Sequence, residues 1–202
     1  LQKQRIYLER GNVEKAIAEG EKLIQAFPDE ERYLLAFAET LSRYGKSDKA
    51  IAYVENFIKD HPDAGSSKMM LAGFYRDNGQ EQKSREYVLQ VFDDPAVEAG
   101  SKVLMMGVYA NTISTNKSKK ISDPELESFS VELFRRLEAN YPTDADVHLI
   151  GGDLFMTLEK DQEALEHYSK AVKGGSSSFD AWQNLMFLES EANQIDSLIK
   201  HS

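Results

Sequence analysis

Apolar residues recur at steps of three and four along almost the whole chain, and short polar turns separate the runs. One run occupies residues 13–27 and ends at Pro28, and another occupies residues 50–58 and ends at Pro62. Apolar residues at this spacing lie on one face of an α-helix. A proline ends a helix because it lacks an amide proton and disfavours a helical conformation of the residue before it. The pattern therefore predicts an all-α fold without strands.

The helical pattern repeats with a period of 34 residues. Gly11, Gly45 and Gly79 mark successive turns at this spacing, and Pro28 and Pro62 end successive units. A self-similarity with a period of about 20 to 50 residues is typical of proteins built as stacked repeats. Each unit reads as a first helix, a turn and a second helix. The equal steps favour a row of helix pairs over a single central core.

The fourth unit departs from this period. Tyr109 lies 34 residues after Tyr75, as expected, but the pattern then resumes about twelve residues late, from Phe129 onwards. Residues 114–123 between them are polar, and Pro124 then opens a new helix at a position where proline is tolerated. We interpret residues 114–123 as an insertion at the turn, and we consider a lengthened first helix in addition to it.

The register predicts a single repeat array over residues 1–202. Its units are approximately 1–28, 29–62, 63–95, 96–142 with the insert near 114–123, 143–176, and a partial sixth unit at 177–202. Trp182 opens the sixth unit, and we expect its second helix to start near Asp196. Because both ends fall inside repeats, we interpret the chain as a fragment of a longer array, or as an array with disordered ends.

This pattern resembles the tetratricopeptide repeat family over essentially the whole chain. The residues that carry the resemblance are small residues at Ala38 and Ala72, tyrosines at Tyr7, Tyr75 and Tyr109, alanines at Ala16, Ala50 and Ala164, and closing prolines at Pro28, Pro62 and Pro142. Ser84 and Ser130 take the alanine position in the third and fourth units. The resemblance implies a right-handed superhelical solenoid of antiparallel helix pairs, with about five full units and a partial sixth.

In the resembling family the first helices build a concave face that holds peptide ligands. The resemblance implies partner-binding residues at Arg5, Leu35, Glu39, Met69, Gly73, Arg76, Val103, Gly107, Asn111, Leu149, Asp153, Met156 and Phe187. These residues are mostly apolar, small or acidic, so they do not support the lysine and asparagine clamp by which some members hold a carboxylate. Met69 and Met156 indicate an adaptable, partly apolar groove for a helix or an extended segment. The alternative is that the methionines pack against adjacent helices.

Composition and charge narrow the function classes. The chain has 24 Lys and Arg against 34 Asp and Glu, a net charge of −10, which argues against nucleic-acid binding. It has no cysteine, hence no disulfide and no zinc site with thiolate ligands. No run approaches the roughly 18 apolar residues of a membrane helix. We expect a soluble protein, cytoplasmic or periplasmic/exported, with any signal or lipid anchor upstream of this sequence.

No pattern points to catalysis, and we predict neither an enzyme nor a cofactor or metal site. There is no glycine-rich phosphate loop between a strand and a helix, and the paired acids fall at helix ends, where carboxylates cap amides or face water. His148 and His167 are the candidates for a metal pair, near Glu163. His148 takes the position of Leu34 and Trp182 in other units, which favours a packing role.

The insert carries Lys117, Lys119 and Lys120 on an acidic protein. One interpretation is a contact for an acidic partner, a membrane headgroup or nucleic acid, and the other is a solvated, mobile loop.

Two functions agree with these observations. The first is a scaffold that binds a protein or peptide partner on the concave face. The second is a structural or assembly module that self-associates, for example as a homodimer through the unit at Trp182, or that docks to other domains of a longer chain.

Overall fold

The computed structural model describes the backbone of residues 2–201 and the side chains of residues 2–192. Within this part of the chain there are eleven α-helices and no strand, which confirms the predicted all-α fold of helix pairs. The helices are α1 (Gln2–Glu9), α2 (Val13–Ala26), α3 (Glu31–Arg43), α4 (Ser47–Asp60), α5 (Gly65–Asp77), α6 (Glu81–Asp93), α7 (Ala99–Ser118), α8 (Pro124–Asn140), α9 (Ala145–Thr157), α10 (Asp161–Lys173) and α11 (Phe179–His201).

The internal contacts divide the chain into two compact units, Leu1–Val97 and Glu98–Ser202. Unit 1 holds α1 to α6, and each helix packs against the next one along the chain. Unit 2 holds α7 to α11, which also pack in chain order, and α7 contacts α9 as well as α8. The prediction that residues 1–202 form a single array stays a prediction.

The predicted turns between the two helices of a repeat share one backbone geometry. Gly45 has a φ of 70°, and the amide of Lys46 donates to the carbonyl of Leu41 at 2.9 Å. This bond between residues five apart is the helix-ending motif that a left-handed residue permits. The same φ, to within a degree, recurs at Gly11 and Gly79. Glycine is favoured there because a side chain in this conformation costs about 1 kcal/mol or more.

Two later turns keep the motif without glycine. Lys120 and Glu159 have φ values of 58° and 59°. The amides of the residues after them, Ile121 and Lys160, each donate at 2.9 Å to the carbonyl five residues earlier. Backbone hydrogen bonding therefore preserves the turn where the glycine signal is missing from the sequence.

The extra residues of the fourth repeat lie mostly in its helices. Helix α7 has 20 residues where α3 and α5 have 13, and α8 has 17 where α4 has 14. The expectation of a loop over residues 114–123 is therefore wrong for residues 114–118, which lengthen the first helix, and residues 119–123 form the turn before α8. The added turn of α7 is held because Ile113 is buried and Lys117 pairs with Glu159 at 3.0 Å.

Helix α8 begins at Pro124, as predicted, and Asp123 caps it by accepting a hydrogen bond from the Leu126 amide at 3.0 Å. The second helix predicted near Asp196 is not separate. Helix α11 runs from Phe179 to His201 without a turn, because no glycine or proline follows Gly175 to end it.

None of the helices in the described part of the chain is both long enough and apolar enough to cross a membrane.

The seam between the helices of a repeat depends on a small residue in the second helix. Ala16, Ala50, Ser84, Ser130 and Ala164 occupy this position, and each is at most 2% exposed. The hydroxyl of Ser130 is satisfied by donating to the Leu126 carbonyl of its own helix at 2.7 Å. A side chain of one or two heavy atoms lets the first helix approach closely.

Replacing Ala50 tests this seam. The change Ala50→Leu inserts three carbons into a packed position, so we expect the free energy of unfolding to fall by about 1–3 kcal/mol in denaturant titrations. Ala52→Leu is the matched control, because Ala52 is exposed on the same helix and should change stability by less than about 0.5 kcal/mol. Equal effects of the two changes would contradict the proposed role of the seam.

Candidate partner-binding surface

The thirteen predicted binding residues all lie on the first helices of the repeats, α1, α3, α5, α7, α9 and α11. None of them is buried in its unit. The exposed ones are Arg5, Glu39, Arg76, Asn111 and Phe187, and the half-buried ones are Leu35, Met69, Gly73, Val103, Gly107, Leu149, Asp153 and Met156. Half-buried apolar residues flanked by exposed polar ones are compatible with a binding surface. Whether these residues bind a partner stays a prediction.

In unit 1 the first helices are joined by side-chain hydrogen bonds that the sequence pattern did not predict. The Glu31 carboxylate on α3 accepts from both the amide and the hydroxyl of Ser67 on α5, each at 2.8 Å. The Gln4 amide on α1 donates to the Thr40 hydroxyl on α3 at 3.2 Å. These bonds fix the first helices to one another, and helices α3 and α5 are in direct contact. In the sequence, the two residues of each pair are 36 apart, close to the repeat length. This spacing alone is too weak a sign to predict the hydrogen bonds.

The surface of unit 1 combines apolar residues with a charged edge. Leu35 and Met69 are half-buried, and Gly73 leaves an open notch, because a Cβ atom built there meets nothing within 4 Å. At the edge, Glu39 pairs with Arg43 at 2.6 Å within α3. We call Leu35, Glu39, Met69, Gly73 and Arg76 the first-helix surface of unit 1.

The surface of unit 2 has a neighbouring side chain at the position that is empty in unit 1. Gly107 on α7 faces Ile150 on α9, and a Cβ atom at Gly107 would lie 4.0 Å from the Ile150 side chain. Helices α7 and α9 therefore contact each other at this level. We call Val103, Gly107, Asn111, Leu149, Asp153 and Met156 the first-helix surface of unit 2.

Asp153, the acidic residue of this surface, is held by hydrogen bonding within unit 2. Its carboxylate accepts a hydrogen bond from the Tyr168 hydroxyl at 2.7 Å, and Asn184 on α11 donates to the same hydroxyl at 3.0 Å. Burial raises the pKa of Asp153, although the bond from Tyr168 opposes the shift. Gly152 allows this arrangement, because a Cβ atom there would come within 2.5 Å of the Tyr168 ring.

The two histidines singled out from the sequence do meet in unit 2. His148 and His167 are 3% and 2% exposed, and their Nδ1 atoms lie 3.3 Å apart. The acid that completes the cluster is Glu138 of α8, with Oε1 3.8 Å from His167 Nδ1, and not Glu163. The sequence pattern did not identify this neighbour, because the three side chains lie on three different helices, α8, α9 and α10, and only the packing of these helices brings them together.

The cluster also packs, as the position of His148 predicts. The His167 ring stacks on Phe155 at an interplanar angle of 10° and meets Phe134 edge-on. The Nε2 atom of His148 lies 2.8 Å from the Pro142 carbonyl. Burial lowers the pKa of His167, while the Glu138 carboxylate opposes the shift.

The lysines of the insert do not form one free patch. Lys117 is engaged by Glu159, whereas Lys119 and Lys120 are exposed at the turn after α7. An ion pair at such a surface site contributes little stability, but it reduces the positive charge offered to a partner.

Comparison with known proteins supports the repeat assignment. Residues 35–96 match the tetratricopeptide repeat family model. No curated protein matches the sequence significantly. Similar solved structures include the C-terminal part of a TPR repeat-containing protein from Cytophaga hutchinsonii, with a TM-score of 0.60 and 10% identity over 96% of this chain and 71% of that one.

Two further structures share the fold. PilF from Pseudomonas aeruginosa has a TM-score of 0.50 and 16% identity over 98% of this chain and 85% of that one. MamA from Desulfovibrio magneticus has a TM-score of 0.50 and 13% identity over 84% of this chain and 89% of that one. The predicted resemblance is confirmed: residues 35–96 are tetratricopeptide repeats, and the chain has the fold of tetratricopeptide repeat proteins. This fold generally mediates protein–protein interaction.

Asp153 gives a test of the buried hydrogen bonds. In Asp153→Asn the amide oxygen still accepts from Tyr168 and the half-buried negative charge is gone, so we expect equal or greater stability at neutral pH. Asp153→Ala leaves Tyr168 without its acceptor and should cost about 1–3 kcal/mol. The gain of the asparagine variant over wild type should shrink as the pH falls through the raised pKa of Asp153. A clearly destabilised asparagine variant in urea titrations would contradict this.

Proposed function

We propose that this chain binds a segment of a partner protein, helical or extended, along the first helices of its repeats. The observation that carries the proposal is the exposure of equivalent positions. Leu35 and Met69 in unit 1, and Val103 and Leu149 in unit 2, hold equivalent positions of the repeat, and within each unit they are half-buried apolar residues of first helices. An apolar stripe rimmed by polar side chains is typical of a surface that binds another protein.

The two first-helix surfaces differ in a way that bears on what each accepts. The notch at Gly73 lets a partner backbone or side chain approach α5 closely, whereas a Cβ atom at the equivalent Gly107 would be in van der Waals contact with Ile150 at 4.0 Å. The charged rim at Glu39 and Arg76 offers both signs, so it favours a polar partner segment with mixed charge over a strongly basic one. Tetratricopeptide repeat proteins are typically non-enzymatic scaffolds. That this chain is not an enzyme stays a prediction.

Site-specific photocrosslinking tests the proposed surface. A benzophenone amino acid at Gly73, where the notch accepts bulk, should crosslink a partner from a lysate of the source cells. The same amino acid at Gln90, exposed on the second helix α6, is the control and should not crosslink it. A partner crosslinked equally from both positions would contradict the proposal.

Substitution at the stripe then measures its contribution. Leu35→Glu and Met69→Glu place charge on the apolar part of the surface, so we expect affinity for the crosslinked partner to fall at least about tenfold. Ala52→Glu, on the exposed face of α4, should leave the affinity unchanged. Circular dichroism of each variant checks that the fold is retained.

A second candidate function is self-association or docking to another domain of a longer chain. It is favoured by α11, where Phe179, Trp182 and Met186 lie on one face at steps of three and four and are 77%, 48% and 67% exposed. An exposed helix face that carries several apolar residues is expected to pack against another protein surface.

Light scattering separates the two functions. If α11 mediates self-association, the wild-type chain should be a dimer, and Met186→Glu should convert it into a monomer while circular dichroism is unchanged. A monomeric wild-type chain at all accessible concentrations would exclude the homodimer.

A further inference from the structure

The histidine cluster of unit 2 has no role in the proposed partner binding. Among the residues whose side chains the structure describes, Glu138, His148 and His167 are the group of three whose potential ligand atoms come within 4.8 Å of one another. We propose that these three side chains bind one divalent transition-metal ion of the zinc class, with water as the fourth ligand. Two imidazoles and one carboxylate are a donor set that zinc prefers.

The spacing of the donor atoms agrees with such a site. Zinc–nitrogen bonds of about 2.0–2.1 Å at a tetrahedral angle place two ligand nitrogens about 3.3 Å apart. The Nδ1 atoms of His148 and His167 are 3.3 Å apart. Glu138 Oε1 lies 3.8 Å from His167 Nδ1, so a side-chain shift below about 1 Å would bring it to bonding distance of the same ion.

The hydrogen bond at the far side of His148 presets the ligating nitrogen. A backbone carbonyl only accepts hydrogen bonds, so the Nε2 atom of His148, 2.8 Å from the Pro142 carbonyl, carries the proton. In the neutral ring this leaves the lone pair on Nδ1, which faces the cluster. A ligating histidine usually donates its other ring nitrogen to a carbonyl or carboxylate in this way.

Without a metal, a proton occupies the space between the rings. The ring centroids are 5.5 Å apart, so the two Nδ1 atoms point nearly at each other, as in a hydrogen bond from His167 to His148. An ion would take the place of this proton, which moves to the other nitrogen of His167 or to solvent. At a tetrahedral angle the lone pair of each ring would point about 35° away from the line that joins the two Nδ1 atoms, so both rings would have to turn.

Two positively charged side chains, Arg135 and Lys170, lie near the Glu138 carboxylate and affect how well it can bind a metal ion. Arg135 donates to Glu138 Oε2 at 2.9 Å, which orients the carboxylate and leaves Oε1 directed at His167. Lys170 lies 3.7 Å from Oε1, but its nearer partner is Glu166 at 2.7 Å. The Glu138 side chain is 20% exposed, which gives the ion and the water ligand access from solvent.

Titration with cobalt and zinc ions tests the site in the intact chain. Cobalt should bind one ion per chain with the intense visible absorption of tetrahedral coordination, and zinc should displace it. Zinc at about 100 times its dissociation constant should lower the unfolding equilibrium constant about 100-fold, which a thermal shift measures.

The variants assign the ligands. Glu138→Gln should weaken cobalt and zinc binding at least about tenfold, because the neutral amide is a poor ligand. Glu163→Gln is the matched control: it changes a half-buried glutamate on α10 and should leave binding unaltered. His148→Gln should abolish metal binding. If this variant of a buried residue does not fold, the comparison of Glu138→Gln with Glu163→Gln decides the question.

The proposal is wrong if the wild-type chain shows neither tetrahedral cobalt absorption nor a zinc-dependent thermal shift at millimolar metal. It is also wrong if Glu138→Gln and Glu163→Gln bind cobalt equally, which would place the ion elsewhere. Neither result depends on partner binding, so the proposed function is tested separately.

Discussion

The close approach of the paired helices is the constraint on which the rest of the structure depends. At the seam of each repeat, the second helix presents a residue no larger than serine, and this residue is buried at every one of the five described positions. Glycine has the same role where an aromatic ring packs directly against the backbone of a helix. A Cβ atom at Gly20 would lie 2.3 Å from the Phe37 ring, and one at Gly151 would lie 2.4 Å from Phe134. The aromatic rings therefore fill space that only a missing side chain leaves.

Close pairing determines which residues remain available for binding. One face of each first helix is buried against its second helix, and α3 contacts α5 in unit 1 as α7 contacts α9 in unit 2, so the remaining face of these helices is the one open to a partner. Leu35 and Met69 lie on that face in unit 1, and Leu149 and Met156 in unit 2. Their half-burial is a consequence of helix packing, and it gives the surface its apolar character. The charged residues Glu39 and Arg76 of the same surface are exposed.

Unit 2 shows how polar groups are accommodated when the seams are this tight. Tyr168 reaches across Gly152 to Asp153, and the pair is completed by Asn184, so one hydroxyl joins α9, α10 and α11. His148 and His167 form a comparable connection between α9 and α10. Each buried polar atom here has a partner, since an unsatisfied one would cost about 1–3 kcal/mol. The same need of buried polar atoms for partners brings the imidazoles of His148 and His167 close to the carboxylate of Glu138.

Most of the repeat was predictable because it rests on local signals. The 34-residue spacing, the left-handed turns at Gly11, Gly45 and Gly79, and the helix start at Pro124 are properties of short segments. The expected loop was wrong for residues 114–118, because these residues are as compatible with a helix as with a turn. The burial of Ile113 and the pairing of Lys117 favoured the helix, and both depend on distant residues.

The sequence by itself determined the class of fold, since helix periodicity, prolines and glycines act through bonds between residues close in the chain. Only the tertiary structure decided which acid joins the histidines, which carboxylate is buried, and which first-helix glycine leaves an open notch. Glu138 is ten residues from His148 and nearly thirty from His167, so no local pattern relates them. Such neighbours are set by the packing of α8, α9 and α10 against one another, which the repeat spacing alone does not specify.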